Sequence, residues 1–200
     1  MPDRFRFFRG NDNTNRAALA LELYYNLPID FTAVAHIMFD YLFPLFYIKI
    51  SAECVTVRDV KRGIEVSEVP EIAIGSNSGK KIILAAGKEA RKIAAAQSAT
   101  LVNPFRHPRA PLDDVTIAEQ VLKAFVRRVQ GNMKRLQLPV GVVIHPLGSP
   151  EGGLTQVERQ AFVELAWNLG ASRVALWIGR VISDGEVRSG QAFRKSTERR

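Results

Sequence analysis

The sequence L-F-Y-I-K-I-S-A-E-C-V-T-V-R-D, residues 45–59, contains two β-type runs around a tight connection. Leu45–Ile50 is apolar apart from Lys49, and Cys54–Val57 is rich in the β-branched residues that favour strands. The residues Ser51–Glu53 between them suit a hairpin turn. Because turns of this kind cradle a phosphate in several nucleotide-binding domains, this turn is the first candidate functional site.

Strand patterns dominate the middle of the chain, and helical patterns follow. Apolar runs predict further strands at Ile64–Val69, Glu71–Ile74, Lys81–Ala86, Val140–Ile144 and Arg173–Ile178. The run Lys81–Ala86 has the pattern of a buried strand. Helices are predicted at the Ala-rich segment Gly87–Gln97 and after the capping boxes Thr116/Glu119 and Thr155/Glu158. This order predicts the α/β class, a mixed sheet flanked by helices.

The charge leaves several partner classes open. The net charge of +8 permits a nucleic acid or anionic membrane partner, although a solvated basic surface explains it as well. Without aromatic residues among its basic ones, the chain is not expected to bind nucleic acid. The single cysteine, Cys54, suits a reducing compartment and is predicted to be a small core residue of a strand. His107 and His145 precede prolines and are predicted to be exposed loop residues rather than metal ligands.

The chain is expected to divide into three parts. Residues 1–37 are a leader of doubtful structure, and Met38 is an expected start of the folded protein. Residues 38–182 form the predicted domain, and residues 183–200 form a basic tail that is predicted to be disordered.

Several stretches of the chain resemble the family of MreB, the rod shape-determining bacterial actin homologue. The segment Leu154–Leu176 resembles the family's T-Q-V-E-R-R-A-I helix and the strand after it. Ile64–Ile74 is similar to G-I-V-L-N-E-P-S-V-V-A-I, and Asp114–Val129 resembles a further family helix. The resemblance covers residues 38–178, about the first half of a family chain. It implies one actin-like, ribonuclease H-like lobe, with the second lobe and its phosphate loop absent.

The resemblance also implies that the nucleotide site is degenerate. The family's first phosphate loop, I-D-L-G-T-A-N-T, aligns with Ile48–Cys54. Lys49 then replaces the aspartate that holds the nucleotide's metal, Ser51 replaces a glycine, and Glu53 places a carboxylate beside the phosphates. The family's V-F-L-I-E-E-P strand ending becomes V-A-L-W-I-G-R here, so that both glutamate positions have lost their carboxylates and Arg180 follows them. No catalytic residue, cofactor or metal is expected.

The resulting hypothesis is a half-length, non-hydrolysing relative of MreB that acts in cell shape or cytoskeletal assembly through protein contacts. The expected partners are full-length MreB or further copies of the chain, in the cytoplasm or at the inner face of the membrane. The alternatives are an ATP-binding protein that completes its Mg-ATP site with another chain, and a basic membrane-associated adaptor. The candidate membrane or partner contacts are Phe39, Leu42, Phe43, Lys123, Arg127 and Arg128. The aromatic group among them is equally consistent with the buried start of the first strand.

Overall fold

The computed structural model describes residues 43–106, 112, 114–131, 140–148 and 153–197. They all belong to one of the two units into which the chain divides, Phe39–Arg200. The predicted leader lies outside the described residues, as do Phe39, Leu42 and His107.

The main sheet has five strands in the order β3-β2-β1-β7-β8. Its members are β1 (Leu45–Ile50), β2 (Val55–Asp59), β3 (Ile64–Glu68), β7 (Val140–Pro146) and β8 (Ala171–Leu176). Strands β1, β2 and β3 pair antiparallel, whereas β1, β7 and β8 pair parallel, so the sheet is mixed. The predicted hairpin and the predicted α/β class are confirmed.

Two long helices cover one face of this sheet. They are α2 (Val115–Gln130) and α3 (Gln156–Asn168), and they follow α1 (Ala90–Gln97) in the chain. The even-numbered side chains of β1, such as Phe46 and Ile48, pack there against Phe125 of α2 and Phe162 of α3. Burial of each such side chain stabilises the fold by about 1.5–3 kcal/mol, so this cluster is the main core.

The opposite face of the sheet is covered by the C-terminal segment. This segment contains two short helices, α4 (Asp184–Arg188) and α5 (Gln191–Thr197). Leu45 and Tyr47 of β1 pack on this face against Val187 of α4 and Phe193 of α5. The prediction of a disordered tail is therefore wrong for residues 184–197, because their apolar side chains complete a second core cluster.

A smaller sheet lies between β3 and α2 in the sequence. It contains β4 (Ile72–Asn77), β5 (Lys80–Ala86) and β6 (Thr100–Val102) in the order β5-β4-β6. Helix α1 packs on it through Ala90 and Ala94. The prediction that β5 is a buried strand is wrong, since its first four residues are exposed.

Two local predictions need correction and one is confirmed. Helix α2 begins at Val115 and is capped by Asp114, whose carboxylate accepts from the Ile117 amide, and not by the predicted capping box of Thr116. Strand β6 was not predicted. The capping box of Thr155 and Glu158 at the start of α3 is present. None of the described helices combines the length and apolarity needed to cross a bilayer.

Candidate functional site

The turn of the first hairpin is closed by the Ser51 side chain. Its hydroxyl donates to the Cys54 carbonyl at 3.1 Å and accepts from the Cys54 amide at 3.1 Å. The Ser51 amide also donates to the Cys54 carbonyl at 3.0 Å. The amides of Ser51 and Cys54 are therefore committed to the turn itself, and Ser51 has a structural role that a glycine could not fill.

Neighbouring segments hold this turn in place. The side-chain amide of Asn103 donates to the Ala52 carbonyl at 2.8 Å. The Leu147 amide, which follows β7, donates to the Ile50 carbonyl at 2.7 Å. Both bonds fix the turn at the carboxyl ends of the parallel strands, which is the edge where open α/β sheets bind ligands.

Lys49 is a half-buried cation just before the turn. On the sheet it is flanked by Thr56 of β2 and His145 of β7. Its charge contributes to lowering the pKa values of His145 and Asp184, after larger contributions from burial and from Arg58 respectively. A lysine in this position repels a divalent metal, and no three His, Cys, Asp or Glu side chains are grouped for metal binding in the described part of the chain.

Cys54 belongs to the turn and is not a core residue of a strand. Its thiol lies 3.1 Å from the Ser67 hydroxyl, which in turn lies 2.9 Å from the Thr56 hydroxyl. The prediction of a core cysteine is wrong, because β2 begins one residue later and leaves Cys54 half-buried. Glu53, the other candidate of the degenerate loop, is exposed.

His145 is fully buried on β7, which contradicts the prediction of an exposed loop histidine. Its Nε2 lies 3.0 Å from the Gly179 carbonyl, and its Nδ1 lies 2.7 Å from the Tyr47 hydroxyl. A carbonyl can only accept, so Nε2 carries the proton and the Tyr47 hydroxyl donates to Nδ1. The Tyr47 oxygen accepts in turn from the Ile182 amide at 3.3 Å.

Burial lowers the pKa of His145 and raises the pKa of Tyr47. Both groups are thus kept neutral, and each has its hydrogen-bonding capacity satisfied. The network joins β1 and β7 to the segment that leads into α4. Its role is to dock the C-terminal segment on the sheet, and sequence reasoning missed it. The available signal was the apolar run V-G-V-V-I directly before His145, which places this histidine on a strand.

Arg180 is exposed and pairs with Glu186 of α4. The Arg180 guanidinium lowers the pKa of Glu186 to about 2, with further contributions from the amide and hydroxyl of Ser183. The Arg180 cation, which directly follows the two lost glutamate positions, is therefore neutralised within the C-terminal segment.

The candidate contact residues that the structure describes differ in their contacts. Lys123 pairs with Glu119 on α2. Arg128 pairs with Glu68 at 2.9 Å, donates to the Ala86 carbonyl and lies over the Phe125 ring. Arg127 is exposed, and Phe43 is half-buried beside β1. Two of the three candidate cations are thus engaged within the protein.

Comparison with known proteins gives consistent results. A family model described as MreB/Mbl protein matches residues 48–182. Among solved structures, MreB5 of Spiroplasma citri bound to ADP is similar at 21% identity and a TM-score of 0.52, over 68% of this chain and 38% of that one. A non-polymerising mutant of MamK bound to AMPPNP is similar at 11% identity and a TM-score of 0.51, over 68% of this chain and 41% of that one. The chain thus spans less than half the length of these two proteins, and at these identities the likeness concerns the fold.

Proposed function

The chain belongs to the MreB/Mbl protein family. From this membership we propose that its actin-like lobe acts in cell-shape determination or cytoskeletal assembly through protein–protein contacts, without hydrolysing ATP. The family match over residues 48–182 confirms the resemblance inferred from the sequence. A cytoskeletal role follows from the family in general terms. The absence of ATP turnover and the nature of the contacts are the specific parts of the proposal.

The state of the hairpin turn is the observation that carries this proposal. Ser51 fills and closes the turn, Lys49 places a cation before it, and Glu53 adds an exposed carboxylate. Phosphate binding by such a turn requires free amide groups and a close approach of the backbone, and metal binding requires a carboxylate. Ser51 and Glu53 oppose phosphate binding, and Lys49 opposes metal binding.

The C-terminal segment supports the proposal from a second direction. It covers the face of the sheet that would otherwise expose Leu45, Tyr47 and Val143 to water. A lobe with both faces covered has the core that a separate domain needs. The proposed place of action is the cytoplasm, including the inner face of the membrane, with full-length MreB or further copies of the chain as partners.

Calorimetric titration of the purified chain with Mg-ATP tests the nucleotide part of the proposal. We expect no binding heat and no phosphate release above the uncatalysed rate. The variant Lys49→Asp combined with Ser51→Gly and Glu53→Ala tests the assignment of the turn. Lys92→Gln on the exposed face of α1 controls for the net change of one negative charge. Binding of Mg-ATP by the natural chain at micromolar concentration would contradict the proposal.

Co-sedimentation with filaments of a full-length MreB family member tests the cytoskeletal part. We expect the chain to pellet with the filaments and to remain in the supernatant without them. Recovery of the chain only in the supernatant, at protein concentrations where the filaments themselves pellet, would remove this part of the proposal.

A further inference from the structure

Strand β5 is an edge strand with exposed isoleucines. Ile82 is 38% exposed and Ile83 is 50% exposed, and as consecutive strand residues they point to opposite faces. The neighbouring Leu84 is half-buried and packs against Gly75 of β4. A Cβ atom added to Gly75 would lie only 2.8 Å from the Cδ1 atom of Leu84. Helix α1 packs only near the Leu84–Ala86 end of the strand. All four residues of the Lys80–Ile83 half are exposed.

The other sheet edges in the described part of the chain are protected. Strand β6 has only three residues, β3 carries Glu65 and Glu68, and β8 carries Arg173. Short length and charge are the usual means by which proteins prevent edge strands from pairing with other chains. Strand β5 has seven residues, and its charged residues, Lys80 and Lys81, lie at the turn end and leave Ile82–Ala86 uncharged.

The backbone of β5 offers hydrogen-bonding groups at this edge. The hairpin between β4 and β5 turns through Ser78 and Gly79, which both have positive φ, as in a two-residue type I′ turn. The two residues that flank such a turn, here Asn77 and Lys80, form a hydrogen-bonded pair. Along the ladder, non-hydrogen-bonded and hydrogen-bonded pairs then alternate. The N–H and C=O groups of Lys81 and Ile83 therefore point away from β4.

We propose that two copies of this chain associate by antiparallel pairing of their β5 edges about a two-fold axis at Ile82. In this register Lys81 of one copy faces Ile83 of the other, and both residues present outward backbone groups. Ile82 meets Ile82 of the second copy in a non-hydrogen-bonded pair, where side chains are closest. Lys80 faces Leu84, so no lysine opposes a lysine.

The register is limited by an irregularity in the strand. The pairing register of β4 and β5 shifts between Ala73 and Ile74. The β5 residues whose N–H and C=O groups point away from β4 therefore change from odd-numbered to even-numbered ones beyond Leu84. If the two-fold axis lay at Ile83, Lys81 of one copy would face Ala85 of the other. The N–H and C=O groups of Lys81 point toward the second copy, whereas those of Ala85 point toward β4, so the two residues could not exchange hydrogen bonds. Centring on Ile82 avoids this mismatch, and a second copy of the same strand is the occupant that fits.

Sedimentation equilibrium of the full chain without nucleotide tests the association. We expect a monomer–dimer equilibrium that Ile82→Lys combined with Ile83→Lys weakens by roughly a hundredfold or more, since two buried isoleucines are lost from each copy. The control is Leu101→Lys on β6, which is similarly exposed on the opposite edge of the same sheet. It should leave the dimer unchanged. Thermal melting of each variant checks the fold.

Cysteine cross-linking tests the register. In a Cys54→Ser background, Ile82→Cys should give a disulfide-linked dimer, because Cα atoms of a non-hydrogen-bonded pair lie about 4.5 Å apart, within the range of a disulfide. Leu101→Cys should not cross-link. A monomeric natural chain, a dimer indifferent to the double variant, or equal cross-linking at both positions would overturn the inference.

This inference rests on the proposed function for its biological meaning, because it names one of the protein contacts. The two can fail separately. A monomer that does not bind Mg-ATP overturns only the edge pairing, whereas a dimer that binds Mg-ATP overturns only the proposed function.

Discussion

Among single residues, Tyr47 and His145 hold the C-terminal segment through buried hydrogen bonds. Both side chains are buried. The Tyr47 hydroxyl accepts a hydrogen bond from the Ile182 amide, and His145 donates one to the Gly179 carbonyl. A buried donor or acceptor that loses its partner costs about 1–3 kcal/mol. The network therefore makes docking of this segment specific as well as stable.

Tyr47→Phe is expected to destabilise the protein by about 1–3 kcal/mol, because the ring stays packed while the Ile182 amide and His145 Nδ1 lose a partner. Urea unfolding followed by circular dichroism measures this loss. In a double-mutant cycle with His145→Phe, each single variant loses part of the free energy of unfolding. The two single-variant losses should sum to more than the loss in the double variant. Additive losses would show that the two side chains are not coupled.

Among the secondary-structure elements, the short helices α4 and α5 depend most on tertiary contacts. Isolated helices of this length are unstable in water. The capping box of Ser183 and Glu186 starts α4, Arg58 pairs with Asp184 at 2.8 Å, and Arg188 donates to the Val60 carbonyl. These contacts place Val187 in the second core cluster, where it is fully buried.

Two valines of this segment form a matched pair for testing its docking. Val187→Asp should cost several kcal/mol, because it buries an unpaired carboxylate in the second core cluster. Val181→Asp, at a position that is 54% exposed, should change stability by less than about 0.5 kcal/mol. Thermal or urea unfolding of both variants gives the comparison. Equal effects would mean that the segment is not docked in solution.

At the scale of the whole molecule, ionisable groups tie distant segments together. Arg91 of α1 holds the carboxylate of Glu71 at 2.6 Å and lowers its pKa. Arg58 of β2 lowers the pKa of Asp184 at the start of α4. With the buried, neutral His145, these groups make the stability of the lobe depend on pH.

Stability should be highest near neutral pH and should fall on acidification in two stages. His145 has its pKa lowered from 6.5, so its contribution is complete above that pH and is lost as the pH falls toward its folded-state pKa. Glu71 and Asp184 have pKa values lowered from 4.5 and 3.8, so their contributions are lost at lower pH.

Urea unfolding measured across this pH range tests the prediction. His145→Gln should remove the slope of the first stage while leaving the second stage unchanged. Constant stability from neutral pH down to the ordinary range of carboxyl groups would contradict the assignment of His145.

Much of the fold and of the candidate site followed from the sequence, because both depend on local patterns. The apolar run Leu45–Ile50 and the β-branched run Cys54–Val57, with three residues between them, determined the hairpin. The capping box of Thr155 and Glu158 determined the start of α3. The identities of Lys49, Ser51 and Glu53 are read directly in the sequence, and so is their departure from the phosphate loop that they resemble.

Only the tertiary structure decided which groups are buried. Strand β5 has the apolar pattern of a core strand but lies at a sheet edge, whereas His145 has the flanking proline of a loop but lies in the core. The C-terminal residues 184–197 have one local helix signal, the capping box of Ser183 and Glu186, but their helices are too short to be stable alone. They fold because the second face of the sheet is apolar. Burial is a property of what packs across the chain, and contacts such as Tyr47 with Ile182 join residues that are 135 positions apart.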